Sequence, residues 1–199
     1  GWQPEMPLLD PMCGGGTFLI EAAAIGLNVP PGANRSFGFE RLSTFEQYAW
    51  NRVRDGRGPR HRQPLSLFGS DIEQRAIESA RKNLMAAGFL DHVKLQRQDL
   101  LKLEAPASSG VMIANPPYGE RLADDETMAA FYPQLGHTLK QRFAGWTCYF
   151  FTADFRLAKL IRLSASRRVP LFNGALECRL FEFRVVAGSN RTPRHSTVD

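Results

Sequence analysis

Cysteine is scarce in this chain. Only Cys13, Cys148 and Cys178 occur among 199 residues, an odd number at wide spacing that supports neither a disulfide framework nor a C-x-x-C metal site. Histidine is equally thin. His61, His92, His137 and His195 fall in a basic loop, after a helix, within a helix and in the tail, and none has ligand spacing, so no metal is expected. No apolar run approaches the roughly 20 residues that cross a bilayer. An opening that contains Pro4, Glu5 and Pro7 does not resemble a secretory leader. These absences point to a soluble, cytoplasmic domain in a reducing compartment, with no membrane partner. One core is the default, because 199 residues at 43% hydrophobic suffice for one well-buried domain and not for two ordinary ones.

Acidic residues are outnumbered. The formal net charge is +5 and the pI about 9.4, and the excess is unevenly placed. Between Asn34 and Gln63, seven arginines (Arg35, Arg41, Arg52, Arg54, Arg57, Arg60, Arg62) face three acids, with Phe37, Phe39, Phe45, Tyr48 and Trp50 interleaved. The planar arginine fork suits phosphate, which makes Arg35, Arg52, Arg54 and Arg57 candidates for RNA contact. The structural alternative is a solvated insertion whose aromatics pack onto the core.

The chain has no internal repeat. Short apolar strands alternate with amphipathic helices, which argues for a mostly parallel sheet covered on both faces. Strands are expected at 6–9, 65–70, 93–96, 111–114 and 146–152, the last fully buried. Helices are expected at about 17–26, 72–87, 126–143 and 155–163. In the second of these Ile72, Ala76, Ala80 and Leu84 share one face and Gly88 acts as the stop. Pro133 should kink or split the third. Two strands, 168–172 and 178–186, close the domain through an Asn173-Gly174 turn. Residues 28–64 read as a linker-like basic insertion, and the polar residues 189–199 as a disordered tail beyond a domain of 1–188.

Two turns carry the chemistry. After the first strand comes Asp10-Pro11-Met12-Cys13-Gly14-Gly15-Gly16-Thr17, where glycines permit a sharp turn and close backbone approach to a ligand. It is not a P-loop, since no lysine follows, and not a dinucleotide fingerprint, since Leu19 stands at the third glycine position. After the fourth strand comes Asn115-Pro116-Pro117-Tyr118. Each proline fixes its own φ and biases the residue before it, so the Asn115 amide and the Pro116 carbonyl are held as acceptors for an exocyclic amine. Tyr118 is then placed to stack on the ring that bears it. Asn115 as an ordinary turn residue is the plainer alternative.

These two strings resemble motifs I and IV of amino-group methyltransferases that use S-adenosylmethionine. The longer run Asn115-Pro116-Pro117-Tyr118-Gly119-Glu120-Arg121-Leu122 is similar to bacterial RNA guanine-N2 methyltransferases that usually carry an N-terminal THUMP domain, most closely those acting on large-subunit ribosomal RNA. The similarity runs from about Trp2 to Val186. It implies a Rossmann-like class I fold, a seven-stranded, mostly parallel sheet with a C-terminal antiparallel hairpin. It implies that Asp10, Pro11, Gly14, Gly15, Gly16 and Thr17 surround the methionine end of the cofactor. Asp71, with Ile72 beside it, would take the ribose hydroxyls, Asp99 the adenine amine, and Asn115 would border both cofactor and target. Asp71 as a helix cap and Asp99 as a loop residue stay open. Cys13 reads as a packing residue rather than a nucleophile. Glu120 and Arg121 either brace the active-site loop as an ion pair or touch RNA. No THUMP region precedes Gly1, so the chain reads as an excised catalytic domain. Methylation of adenine N6 in DNA, methylation of protein glutamine, and an inactive cofactor-binding scaffold are the rival functions.

Overall fold

A computed structural model describes residues 1–32, 35–55, 64–116 and 125–187. The expected tail, Arg57, and Pro117 to Arg121 lie outside the described residues. The strands are β1 (Leu8–Asp10), β2 (Leu67–Asp71), β3 (Val93–Arg97), β4 (Gly110–Ala114), β5 (Trp146–Thr152), β6 (Arg167–Asn173) and β7 (Leu176–Arg184). The helices are α1 (Thr17–Gly26), α2 (Gln47–Asp55), α3 (Gln74–Ala87), α4 (Asp125–Arg142) and α5 (Leu157–Leu160). The strands form one sheet in the order β3-β2-β1-β4-β5-β7-β6. All pairings are parallel from β3 through β5, and antiparallel where β7 meets β5 and β6.

Alternation along the strands divides the core in two. Leu9 and Met112 join Tyr132, Leu135, Leu139 and Phe143 of the α4 side, whereas Leu8 and Leu67 join Leu19 of α1 and Ile77, Ala80 and Leu84 of α3. Successive residues point to opposite faces, and both faces of β1 are covered. α1 and α3 end alike. Phe89 N–H donates to Leu84 O at 2.8 Å and Gly88 N–H to Met85 O at 3.0 Å, with Gly88 at φ 76°. Val29 and Asn28 repeat this pairing on Ala24 and Ile25, with Asn28 at φ 54°. Both are left-handed terminations that satisfy the last carbonyls.

The expectations and the structure differ in instructive places. α3 begins at Gln74, so Ile72 stands before the helix and is 55% exposed, and the buried row starts at Ile77 instead. α4 is not split: it runs through Pro133. An internal proline costs about 3 kcal/mol, and Tyr132, Leu135, Leu139 and Phe143, all at 0% exposure, each return roughly 1.5–3 kcal/mol. β5 alternates between buried and half-buried residues rather than being buried throughout, because α1 and α3 lie over β2 and β3 and leave its second face partly covered. The helix expected at 155–163 is the single turn α5. The hairpin turn is Gly174-Ala175, with Asn173 still paired to Leu176. Gly174 has φ 61°, the first-position geometry of a type II′ turn. The insertion is more than a linker, since it holds α2 and a 3₁₀ turn over Gly38–Arg41. No described helix is long and apolar enough to cross a membrane.

Candidate active site at the carboxyl edge of the sheet

Strand order reverses direction between β1 and β4. In open α/β sheets the crevice outside the carboxyl ends at such a switch point is where ligands bind. Here that edge carries Asp10 at the end of β1, Asp71 at the end of β2, Asp99 just after β3 and Asn115 just after β4. Register sets their heights. Asp10 is level with Gly69, so Asp71 stands two residues further out, and Asp99 stands two beyond Asp71's partner Arg97. Met112 is the partner of Leu9, so Asn115 stands two residues beyond the level of Asp10. At ~3.3 Å per residue these steps span roughly 7 Å each or less.

The glycine turn is tied into place by the neighbouring strand and helix. Cys13 N–H donates to Ser70 O at 2.9 Å and Gly16 N–H to Cys13 O at 2.7 Å. Gly14 N–H donates to Asp71 Oδ2 at 3.0 Å, and Asn83 Nδ2 of α3 donates to Gly15 O at 2.9 Å. Gly14 and Gly16 sit at φ 50° and 82°, the left-handed region that glycine adopts without penalty. A Cβ at Gly16 would press on Ala80, whereas one at Gly14 would meet nothing within 4 Å. Gly14 therefore faces open space, and Gly16 is the close approach of turn to helix. Thr17 begins α1, whose cap residue Gly16 offers no side-chain acceptor, so the first N–H groups of the helix remain available to a ligand.

Three carboxylates behave differently. Asp10 is 1% exposed and accepts a 3.2 Å bond from Met12 N–H. Burial pushes its carboxyl up to about 8, the Met12 bond opposes the rise, and Asp71 adds to it. Asp71 is half-buried and accepts from Gly14 N–H and, through Oδ1, from Glu73 N–H at 3.0 Å. It does not cap α3, because Glu73 occupies that position. Asp99 caps a 3₁₀ turn, accepting from Leu101 N–H at 2.9 Å. Asn115 is exposed and Pro116 buried. Burial pushes the Cys13 thiol up to about 12, with Asp10 and Asp71 adding to the effect. A protonated, packed thiol is a poor nucleophile.

Sequence reasoning missed several supports. Asn83 had no signal beyond being a polar residue one turn after Ala80. Arg97 Nε, which donates to Ile72 O at 2.9 Å, and Ser70 became visible only through strand pairing. Ser70 Oγ is buried and has no hydrogen-bond partner among the described residues.

In the basic insertion the aromatics pack on one another rather than on the core. Phe37 and Phe39 stack at 5.4 Å between centroids, and both meet Trp50 edge-on at 5.6 and 5.0 Å. Phe39 and Trp50 border an apolar cleft of about 320 Å³ with Leu42, Phe45 and Val53. Arg35 lies 4.8 Å above the Phe37 ring and Arg52 6.0 Å from that of Tyr48. Arg35, Arg52 and Arg54 are exposed.

A five-stranded parallel run closed by a reversed β7, with a glycine turn after β1 and an acid at the end of β2, defines the Rossmann-like methyltransferase fold. Within it the chain belongs to the family described as UPF0020, RMKL-like, methyltransferase domain, which matches residues 1–182. It is 37% identical over 198 residues to a ribosomal RNA large subunit methyltransferase K/L of Shewanella baltica, covering 96% of this chain and 28% of that enzyme. The crystal structure of SMU.472 complexed with SAH superposes with a TM-score of 0.88 at 36% identity, over 95% of this chain and 50% of the other. A predicted N6-adenine-specific DNA methylase from Listeria monocytogenes superposes at 0.83 with 32% identity, over 93% and 48%. The chain thus spans half or less of each of these three relatives.

Proposed function

We propose that this domain transfers a methyl group from S-adenosylmethionine to the exocyclic N2 amine of a guanine in large-subunit ribosomal RNA, in the cytoplasm. The observation that carries the reading is the gathering of Asp10, Asp71 and Asn115 on one edge at the β1/β4 switch point. The K/L enzyme's name supports ribosomal RNA as the substrate. A THUMP region elsewhere in the full-length protein agrees with the fraction of the relatives that this chain spans.

The cofactor is S-adenosylmethionine, whose sulfonium supplies an electrophilic methyl group when bound. The residues present fit it. Burial holds the Asp10 carboxyl protonated near neutral pH, and a methionine ammonium placed beside it would stabilise the carboxylate and displace that proton. The open side of Gly14 and the orphaned Ser70 Oγ leave room and an unused polar group along the same edge. Asp71 keeps lone pairs for the ribose hydroxyls beyond those used by Gly14 and Glu73. Ile72, exposed beside it, offers an apolar surface to the adenine, and Asp99 an acceptor for its amine. Asn115 Oδ1 and the Pro116 carbonyl orient the target amine as acceptors, and Pro117 and Tyr118 complete the turn. No general base is required, because methylation makes the amine acidic enough to lose a proton to water. The contribution of the chain is orientation and fixed dipoles.

Arg35, Arg52, Arg54, Arg57 and Arg121 are proposed to meet RNA phosphate. Methylation of adenine N6 in DNA is a second reading, favoured by the similarity to the Listeria protein. Incubation of RNA and DNA with labelled cofactor, followed by nucleoside analysis, decides between them. Label in N2-methylguanine from RNA supports the proposal, and label in N6-methyladenine from DNA replaces it.

A further inference from the structure

The β6–β7 hairpin rises well past the edge on which the candidate site sits, and register shows by how much. Ala114, the last residue of β4, is level with Phe150 of β5, then Phe181 of β7 and Arg168 of β6. Five further residues of β6 therefore stand beyond the end of β4, a rise of roughly 17 Å. β5 stops at Thr152, the partner of Arg179, so the pairs from Leu171–Cys178 to Asn173–Leu176 extend beyond β5 and have no third strand beside them among the described residues. At ~4.8 Å per strand, β7 and β6 lie roughly 10 and 14 Å to the side of β4. The hairpin is a wall flanking Asn115, too far to hold the target base and near enough to hold a neighbouring nucleotide.

The surface of this wall is unusual for a solvated tip. Phe172 is 71% exposed, Leu176 46% and Leu171 39%. Below them Arg179 lies 4.2 Å above the Phe155 ring. Between Asp154 and Ala187 there are seven arginines and lysines against three carboxylates. Those three, Asp154, Glu177 and Glu182, each pair with an arginine of the same segment, so the surplus is positive. Arg167 and Arg168 are exposed, and Pro170 removes a donor from the edge strand, which disfavours pairing with a further strand. An exposed ring with an exposed arginine, Arg168, four residues and roughly 14 Å along the same strand face matches single-stranded nucleic acid, whose bases stack and whose phosphates take the charge.

We infer that the β6–β7 hairpin is an RNA-contacting surface, with Phe172 stacking on an unpaired base near the target and Arg168, on the same face of β6, meeting a phosphate further along the strand. This rests on the proposal that the substrate is RNA. It is tested by fluorescence anisotropy with a fluorescein-labelled single-stranded RNA of mixed sequence. Phe172→Ala should weaken binding about tenfold, and Phe172→Trp should keep it. Arg168→Ala should flatten the salt dependence by about 0.7 in slope for the one phosphate no longer neutralised. S-adenosylhomocysteine affinity should be unchanged in all three, which also shows that they fold. If wild type binds RNA and Arg52→Ala with Arg54→Ala weakens it, while the hairpin variants bind normally, the inference is overturned and the RNA reading stands. If wild type binds no RNA, both fall. If sedimentation shows wild type self-associating and Phe172→Ala monomeric, the tip serves a second copy of the chain and the inference is overturned.

Discussion

Asp71→Ala should separate two jobs that the structure assigns to one carboxylate. Asp71 holds the glycine turn through Gly14 N–H and its own strand end through Glu73 N–H, both at 3.0 Å, and is also proposed to bind ribose. Hydrogen bonds to a charged group are worth about 1.5–3 kcal/mol each, and partial exposure places these toward the lower end. Removing the carboxylate should therefore lower stability by about 1–3 kcal/mol and S-adenosylhomocysteine affinity by a similar amount, roughly 5- to 150-fold. A loosened turn alone would also weaken binding, so affinity by itself does not isolate the ribose contact. Calorimetry with S-adenosylhomocysteine and its 2′- and 3′-deoxy analogues closes a double cycle. Wild type should lose affinity when a hydroxyl is removed, and Asp71→Ala should be indifferent to it. Equal losses in both proteins would refute the ribose contact and leave Asp71 as a brace for the turn.

Three further expectations follow from the same edge. Folded Asp10 holds its proton up to about pH 8, whereas an ordinary aspartate loses it near 3.8. The folded state binds more protons between these values, so stability in the absence of cofactor should fall as pH rises from about 4 to 8. Melting curves should flatten in Asp10→Asn, and S-adenosylhomocysteine should release a proton on binding near pH 7, seen as a buffer-dependent heat. Asn115→Ala should leave cofactor affinity intact and slow single-turnover methylation on the order of 10²–10³-fold; wild-type rates on guanine-containing RNA would remove Asn115 from the mechanism. Arg52→Ala with Arg54→Ala should flatten the salt dependence of RNA binding by up to about 0.7 in slope per phosphate released, and an unmoved slope would make the insertion a packed surface feature.

Much of the fold was legible in the residues themselves because it is local. The span of α1 follows from the glycine turn before it and the small apolar run within it, and Gly88 ends α3 because only a left-handed residue completes that termination. The string Asn115-Pro116 marked the end of β4 by restricting its own torsions. Periodicity placed Ala80 and Leu84 on the inward face of α3 but not the start of that row, since Ile72 fits it in sequence and is lifted out of it by the bend after Asp71. Nor could it foresee that burial of four large side chains carries α4 through Pro133, or that β5 is half-covered. Those outcomes depend on which helices lie over which strands. The site divides in the same way. Its residue types are written in two short strings, but their meeting on one edge, the turn's ties to Asp71 and Asn83, the raised pKa of Asp10 and the height of the β6–β7 wall arise only from strand pairing, parallel and antiparallel, and from the helices laid over it. Strand register converts separations of tens of residues into a few ångströms, and no local rule in the chain encodes it.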